Sequence, residues 1–279
     1  MLVLPLICSS LAALAIAPLA CRSLVASPLA RRNYRGARIA APLGLAIIAA
    51  SLVSLVPLAL AQQLAGETIL LPALGWIAAF VIGVALLGLA DDALADGIHG
   101  LRRHLAALRS GRADIGVLKA CGTLGLALLA MLWQGTGTAR FLLGAGVLVL
   151  ATHAFNLIDL RPGRAVKALV LLGDALTIAS GELRALWVLG LFAGPALVIG
   201  WFDLRERGML GDAGSGLLGA LAGAWLVLTL SSSGLAIALV ALAALALYGE
   251  SRSISAFVER APILRHLDWI GRLHDATDV

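Results

Sequence analysis

Charge is scarce in this chain: Asp, Glu, Lys and Arg together make up 13% of 279 residues, against 61% hydrophobic types. With a mean hydropathy of +0.98, that scarcity excludes a soluble domain folded around one core, and makes lipid the solvent. Cysteine is nearly absent. Cys8, Cys21 and Cys121 stand alone in or beside apolar runs, which excludes a disulfide framework and a thiolate zinc site. No basic residue precedes the first apolar run, Met1 to Ala20, and arginines follow it, the reverse of a secretory signal's charge order. GxxxxGK[ST], HExxH and CxxC are missing, as is GxGxxG after a strand, and the five histidines show no ligand spacing. The 21 basic residues exceed the 16 acids. In a membrane protein that excess faces cytoplasmic loops, anionic lipid or anionic substrate, so no nucleic acid is called for.

What is present is a series of apolar runs near 1–20, 40–60, 69–90, 115–133, 138–158, 165–181, 185–202, 212–230 and 235–249. They predict an all-α polytopic membrane protein with about nine transmembrane helices over 1–250. The sixth run is short and contains Asp174. With the N-terminus outside, every Lys and Arg except Arg140 and Arg184 falls on the cytoplasmic side. The basic-residue rule thus predicts this orientation, and the Ala-, Leu- and Arg-rich texture with short loops suggests a bacterial plasma membrane.

The tail, 251–279, differs in kind. Ile254, Phe257, Val258, Ile263, Leu264, Leu267, Ile270 and Leu273 form a stripe between polar residues, interrupted at Pro262. It predicts amphipathic cytoplasmic helices on the inner membrane surface. Gly190 with Gly194 and Gly219 with Gly223 suit close helix packing. Trp76, Trp133, Trp187, Trp201 and Trp269 fall near membrane edges.

Three segments interrupt the apolar texture. The third run ends in GLADDALAD, with Asp91, Asp92 and Asp96; the fifth ends in HAFNLIDLRPGRAVK, with Asn156, Asp159, Arg161, Arg164 and Lys167. The eighth begins GDAGSGLLG, with Asp212 and Ser215. The topology brings all three to the inner boundary. A lone Asp212 is explained as readily by a capped helix start. The Asp91–Asp92 pair is harder to explain blandly, because a helix C-terminus disfavours negative charge and neighbouring carboxylates repel. A hard divalent cation with oxygen ligands offsets that cost, and the surrounding Arg and Lys suit phosphate oxygens.

In this order, the segments resemble the polyprenyl-phosphate N-acetylhexosamine-1-phosphate transferases, which include the muramoyl-pentapeptide and GlcNAc-1-phosphate transferases. The matches are Asp91–Asp92, Asn156 with Asp159, Gly211 to Ser215, Lys119 at the next helix start, and Asn33, Arg35, Pro42 and Gly44 in the first cytoplasmic loop. The resemblance spans roughly Asn33 to Gly219. Two departures stand out. LRPG follows Asp159 in place of a second Asp-Gly, and the amphipathic tail ends the chain without a histidine-rich loop or tenth helix.

The resemblance implies transfer of a sugar-1-phosphate, GlcNAc-1-phosphate foremost, from a UDP-sugar to a polyprenyl phosphate such as undecaprenyl phosphate. UMP is released, in cell-envelope polysaccharide or peptidoglycan synthesis. It implies Mg²⁺, or Mn²⁺, held by Asp212 and one of Asp91 or Asp92, the second of these foremost. Asp159 would bind or deprotonate the acceptor phosphate, and Asn156 would orient the diphosphate. Lys119, Arg164, Arg161, Lys167, Asn33, Arg35 and Ser215 would contact substrate. Partners would be the polyprenyl lipid, the UDP-sugar and membrane lipid, with a homodimer left open. Attack by an aspartate through a covalent intermediate is the competing scheme. Other readings are a phospho-MurNAc-pentapeptide transferase, an inactive lipid-binding homologue, and a transporter whose pathway would run past Asp174.

Overall fold

The computed structural model describes residues 1–33, 35–94 and 115–271. Asp96, His99, Arg102, Arg103, His104, Arg109, Arg112, Arg272 and Leu273 lie outside the described residues. Eleven helices and one two-residue hairpin make up the described fold. The helices are α1 Leu4–Val25, α2 Gly44–Ala65, α3 Leu74–Leu94, α4 Ile115–Trp133, α5 Thr138–Ile158 and α6 Arg164–Ser180, followed by α7 Arg184–Leu204, α8 Gly211–Thr229 and α9 Ser232–Ser251. Two short helices, α10 Ile254–Arg260 and α11 Pro262–Trp269, form the tail, divided at Pro262 as expected. The hairpin pairs β1, Arg31–Arg32, with β2, Arg38–Ile39, in antiparallel register.

Among the described residues, eight helices are long and apolar enough to cross a membrane, α1 to α5 and α7 to α9. The ninth expected span is α6. It has 17 residues, bounded by Gly163 and Gly181, both in the left-handed region. At about 1.5 Å per residue it extends roughly 25 Å. It nevertheless runs the length of the bundle. Its last residue, Ser180, shares a cavity of about 440 Å³ with Ala73, Gln134, Arg140, Arg184 and Thr229. These mark the starts of α3, α5 and α7 and the ends of α4 and α8. The opposite ends of the same six helices meet at the other pole of the bundle.

The centre of the bundle is α8. Its apolar window is 83% buried, against 6% for α9 at the periphery. It packs on α5, α3, α6, α2 and α7, while α1 lies on α7 and α2, and α9 lies on α5. Glycine permits the closest approaches. A Cβ at Gly44 would overlap the backbone of Gly214, one at Gly88 the carbonyl of Asp212, and one at Gly219 the backbone at Thr152 and Ala151. Such contacts suit helices in lipid, where dispersion packing must replace a hydrophobic driving force.

Both termini of α8 are satisfied by side chains from other helices. At its C-terminus, Arg140 of α5 donates to the carbonyls of Val227 at 2.7 Å and Leu230 at 3.0 Å. At its N-terminus, Asp92 accepts from two backbone amides. A cation at one end and an acid at the other complement the helix dipole. The isolation of Arg140 from the other basic residues in sequence thereby has a structural reason.

Candidate functional site

The pole opposite Arg140 collects Asp91, Asp92, Asp159 and Asp212. Asp91 and Asp92 lie in the last turn of α3, Lys119 in the first turns of α4, and Asn156 in the last turn of α5; Asp159 follows α5, and Asp212 and Ser215 open α8. The sequence placed these residues on one face. The structure brings most of them into direct contact.

Lys119 holds the centre. Its Nζ donates to Asp91 Oδ2 at 2.9 Å and to Asp212 Oδ2 at 2.5 Å. The two acids come from different helices and face a single point. Lys119 and Asp91 have side chains 14% and 19% exposed, whereas Asp212 is 45% exposed. Solvent thus reaches the cluster from the Asp212 side.

Asp92, expected among the metal ligands, is turned the other way. Its Oδ1 accepts the Asp212 N–H at 3.0 Å and its Oδ2 the Ala213 N–H at 2.9 Å. Leu210, at the N-cap position of α8, provides no side-chain cap, so Asp92 caps the helix from α3. This resolves the charge problem read in the sequence. Asp92 faces the positive end of α8, and Asp91 faces an ammonium. Gly211 makes the approach possible. Its φ is +68°, and a Cβ there would press on the Asp92 carboxylate and Pro42. Arg31, in β1, donates to the Asp92 carbonyl at 2.6 Å, closing the end of α3.

Ser215 Oγ lies 2.7 Å from Asn156 Oδ1 and 3.0 Å from the Gly211 carbonyl oxygen. One hydroxyl thus links α5 to the first turn of α8. Asn33 and Arg35 meet a different partner, Glu206 Oε2, at 3.3 Å and 3.2 Å. They fix the hairpin loop onto the α7–α8 loop. Backbone bonds reinforce this join: Met209 N–H to Ala40 O at 2.8 Å, and Leu43 N–H to Met209 O at 2.8 Å.

Three cations expected to contact phosphate are engaged by the tail. Arg164 makes a two-point ion pair with Asp268, at 2.8 Å and 3.0 Å, between side chains 9% and 6% exposed. Lys167 Nζ donates to the carbonyls of Leu267, Asp268 and Ile270 at the end of α11. Arg161 pairs with Glu259 at 2.6 Å. The tail thus docks on the start of α6. Its exposed apolar side chains are Phe257, Ile263, Leu264, Trp269 and Ile270.

Asp159 accepts no side-chain hydrogen bond from the described residues. It borders a cavity of about 110 Å³ with Arg32, Asn33, Arg161, Asp203 and Glu206. Burial, and then the charges of Asp203, Asp212 and Asp92, push its carboxyl well above the usual carboxylate range, against the opposing pull of Arg164.

Asp203 was not singled out from the sequence. In WFDLRER it resembles a boundary acid among arginines, and only its position nine residues before Asp212 sets it apart. It is 4% exposed. Its Oδ2 accepts the Gly163 N–H at 2.7 Å and its Oδ1 the Leu210 N–H at 3.2 Å.

Among the described residues, no three His, Cys, Asp or Glu side chains form a ready cage for an ion. The convergent pair Asp91 and Asp212 supplies two hard oxygen donors. Mg²⁺ commonly takes that number from a protein, completing its shell with water and substrate phosphate. No protein-family model matches the chain, and no curated protein matches it.

Proposed function

We propose that this protein transfers a sugar-1-phosphate, GlcNAc-1-phosphate foremost, from a UDP-sugar to a polyprenyl phosphate such as undecaprenyl phosphate. The reaction occurs at the cytoplasmic face of a bacterial plasma membrane and releases UMP. The observation that supports this best is the convergence of Asp91 and Asp212 on Lys119 Nζ at one pole of a lipid-soluble bundle. A lipid-anchored acceptor and a water-soluble donor meet only at such a boundary. The order of motifs, which resembles the hexosamine-1-phosphate transferases, supports the same assignment.

In the reaction, an oxygen of the acceptor phosphate attacks the phosphorus attached to the sugar. The bond from that phosphorus to the bridging oxygen breaks, and UMP departs with the electron pair. Phosphoryl transfer needs positioning and charge neutralisation above all. Asp91 and Asp212 would hold Mg²⁺, which neutralises diphosphate charge when bound. Lys119, whose ammonium lies between those carboxylates, would yield that place to the ion and turn to the phosphate oxygens. Asp92 fixes the start of α8, and so the direction of Asp212. Ser215 orients Asn156. Asp159, whose carboxyl burial pushes up, suits proton exchange with the acceptor phosphate.

The transporter alternative gains nothing from Asp174, whose side chain lies on the exposed face of α6. The test is purified protein in detergent with Mg²⁺ and undecaprenyl phosphate, offered UDP-GlcNAc or UDP-MurNAc-pentapeptide. UMP release with the first is expected. Release with neither donor overturns the assignment, as does near-normal release by Asp212→Asn.

A further inference from the structure

Asp159 and Asp212, the acids on the acceptor side and the metal side of the proposed reaction, belong to different elements. One lies in the loop between α5 and α6, the other at the start of α8. Between them stands Asp203, at the end of α7, buried and with both carboxylate oxygens in use. One oxygen accepts the Gly163 N–H at 2.7 Å, in the loop that bears Asp159. The other accepts the Leu210 N–H at 3.2 Å, two residues before Asp212.

Neither amide has a simple substitute partner. Gly163 precedes the first residue of α6 and Leu210 precedes that of α8, so both belong to helix starts, whose amides lack intrahelical acceptors. Gly163 has φ +72° and sits against Leu204, where a Cβ would overlap the leucine side chain. The loop is thereby pressed onto the residue next to Asp203. On the other side, the Leu210 carbonyl accepts the Gly44 N–H at 3.1 Å, which carries the connection into α2. An ionised acceptor with two oxygens makes stronger hydrogen bonds than a neutral one and serves both amides at once.

We propose that Asp203 is a positioning residue: its carboxylate ties the backbone of the Asp159 loop to the backbone that opens the Asp212 helix, and so fixes the spacing of those two acids. Its contribution to turnover rests on the transferase assignment, while the tie itself does not. Asp203 touches no reacting atom. It acts through the alignment of groups that do, and a displacement of about 1 Å at such groups is enough to cost roughly 100-fold in rate.

The experiment compares wild type with Asp203→Asn and Asp203→Ala, each purified in detergent and shown to be monodisperse. Ser51→Ala serves as a control for lost stability. Its hydroxyl is buried and bonded to the Leu191 carbonyl at 2.9 Å, away from the site. The first measurement is hydrogen exchange over peptides covering 160–166 and 206–213. Asp203→Ala is expected to speed exchange in both segments together, and Asp203→Asn less, because its amide retains one acceptor oxygen. The second is UMP release resolved into kcat and KM for the UDP-sugar. With the donor still held by the Asp91–Lys119–Asp212 cluster, kcat should fall about 100-fold in Asp203→Ala, with KM within about threefold of wild type.

Exchange that rises in one segment only, or in neither, overturns the tie. An unchanged kcat despite faster exchange in both overturns the positioning role and leaves Asp203 purely structural. A fall in kcat matched by Ser51→Ala at equal loss of thermal stability does the same. If wild type releases no UMP, the transferase assignment fails, and with it the link to turnover; the exchange result then decides the tie alone.

Discussion

The Lys119 ammonium bridges Asp91 of α3 and Asp212 of α8, two acids 121 residues apart in sequence, at 2.9 Å and 2.5 Å. One tethered cation offsets two carboxylates that would otherwise repel.

Lys119→Met removes that cation without shortening the side chain much. Loss of a preorganised charge on phosphate oxygens should lower UMP release by about 100-fold or more. The vacated space between Asp91 and Asp212 should also become a better cation site. Mg²⁺ is therefore expected to raise the melting temperature of Lys119→Met more than that of wild type, as measured by thermal unfolding with and without the ion.

Asp91 and Asp92 are neighbours with different tasks, and stability separates them. Asp92→Ala deprives two α8 amides of their acceptor and should cost about 0.5–2 kcal/mol, the range for a lost helix cap. Asp91→Ala removes no cap. Denaturation of the two variants side by side should show the larger loss for Asp92→Ala, while both lose activity.

The raised pKa of Asp159 sets a sign for pH dependence. A carboxyl whose folded-state pKa lies above its unfolded value favours the folded state while protonated. The advantage is complete below the ordinary pKa, about 4, and fades as pH rises through the folded value. Asp159→Asn, neutral throughout, should therefore match wild type near pH 4 and be the more stable at pH 8. If the ionised form accepts the acceptor's proton, wild-type turnover climbs with pH through the raised pKa, and the variant lacks that limb.

The buried Arg164–Asp268 pair predicts that the tail is part of the fold. Asp268→Ala leaves a desolvated guanidinium without its carboxylate and should cost about 3–5 kcal/mol. The double variant Arg164→Met, Asp268→Leu should recover most of that loss in thermal unfolding. Equal stability of wild type and Asp268→Ala would show that the pair contributes nothing.

The sequence made the bundle legible because bilayer thickness imposes one length on every span. Even so, α6 ran short of that length while still crossing the bundle, since glycines at positions 163 and 181 end it. The gathering of Asp91, Asp159 and Asp212 at one pole was legible because helix ends alternate. Which oxygen faces which group was not. Adjacent Asp91 and Asp92 diverge because successive helical residues point to different sides, and only the position of α8 decides which one caps it. Arg164 and Lys167 read as phosphate ligands because their partner carboxylate and carbonyls lie about 100 residues later, beyond any local pattern. Asp203 was missed for the same reason. Its partners are two backbone amides, and amides have no signature in a sequence.

The glycine contacts around α8 have a mechanical consequence. Where backbone meets backbone, as at Gly44, Gly88 and Gly219, no side chain remains that could yield by changing rotamer. The helix that carries Asp212 is thus the fixed hub of the molecule. Whatever yields at this pole has to yield at the rim, where the hairpin is held to the α7–α8 loop by the side chains of Asn33, Arg35 and Glu206, which can change rotamer.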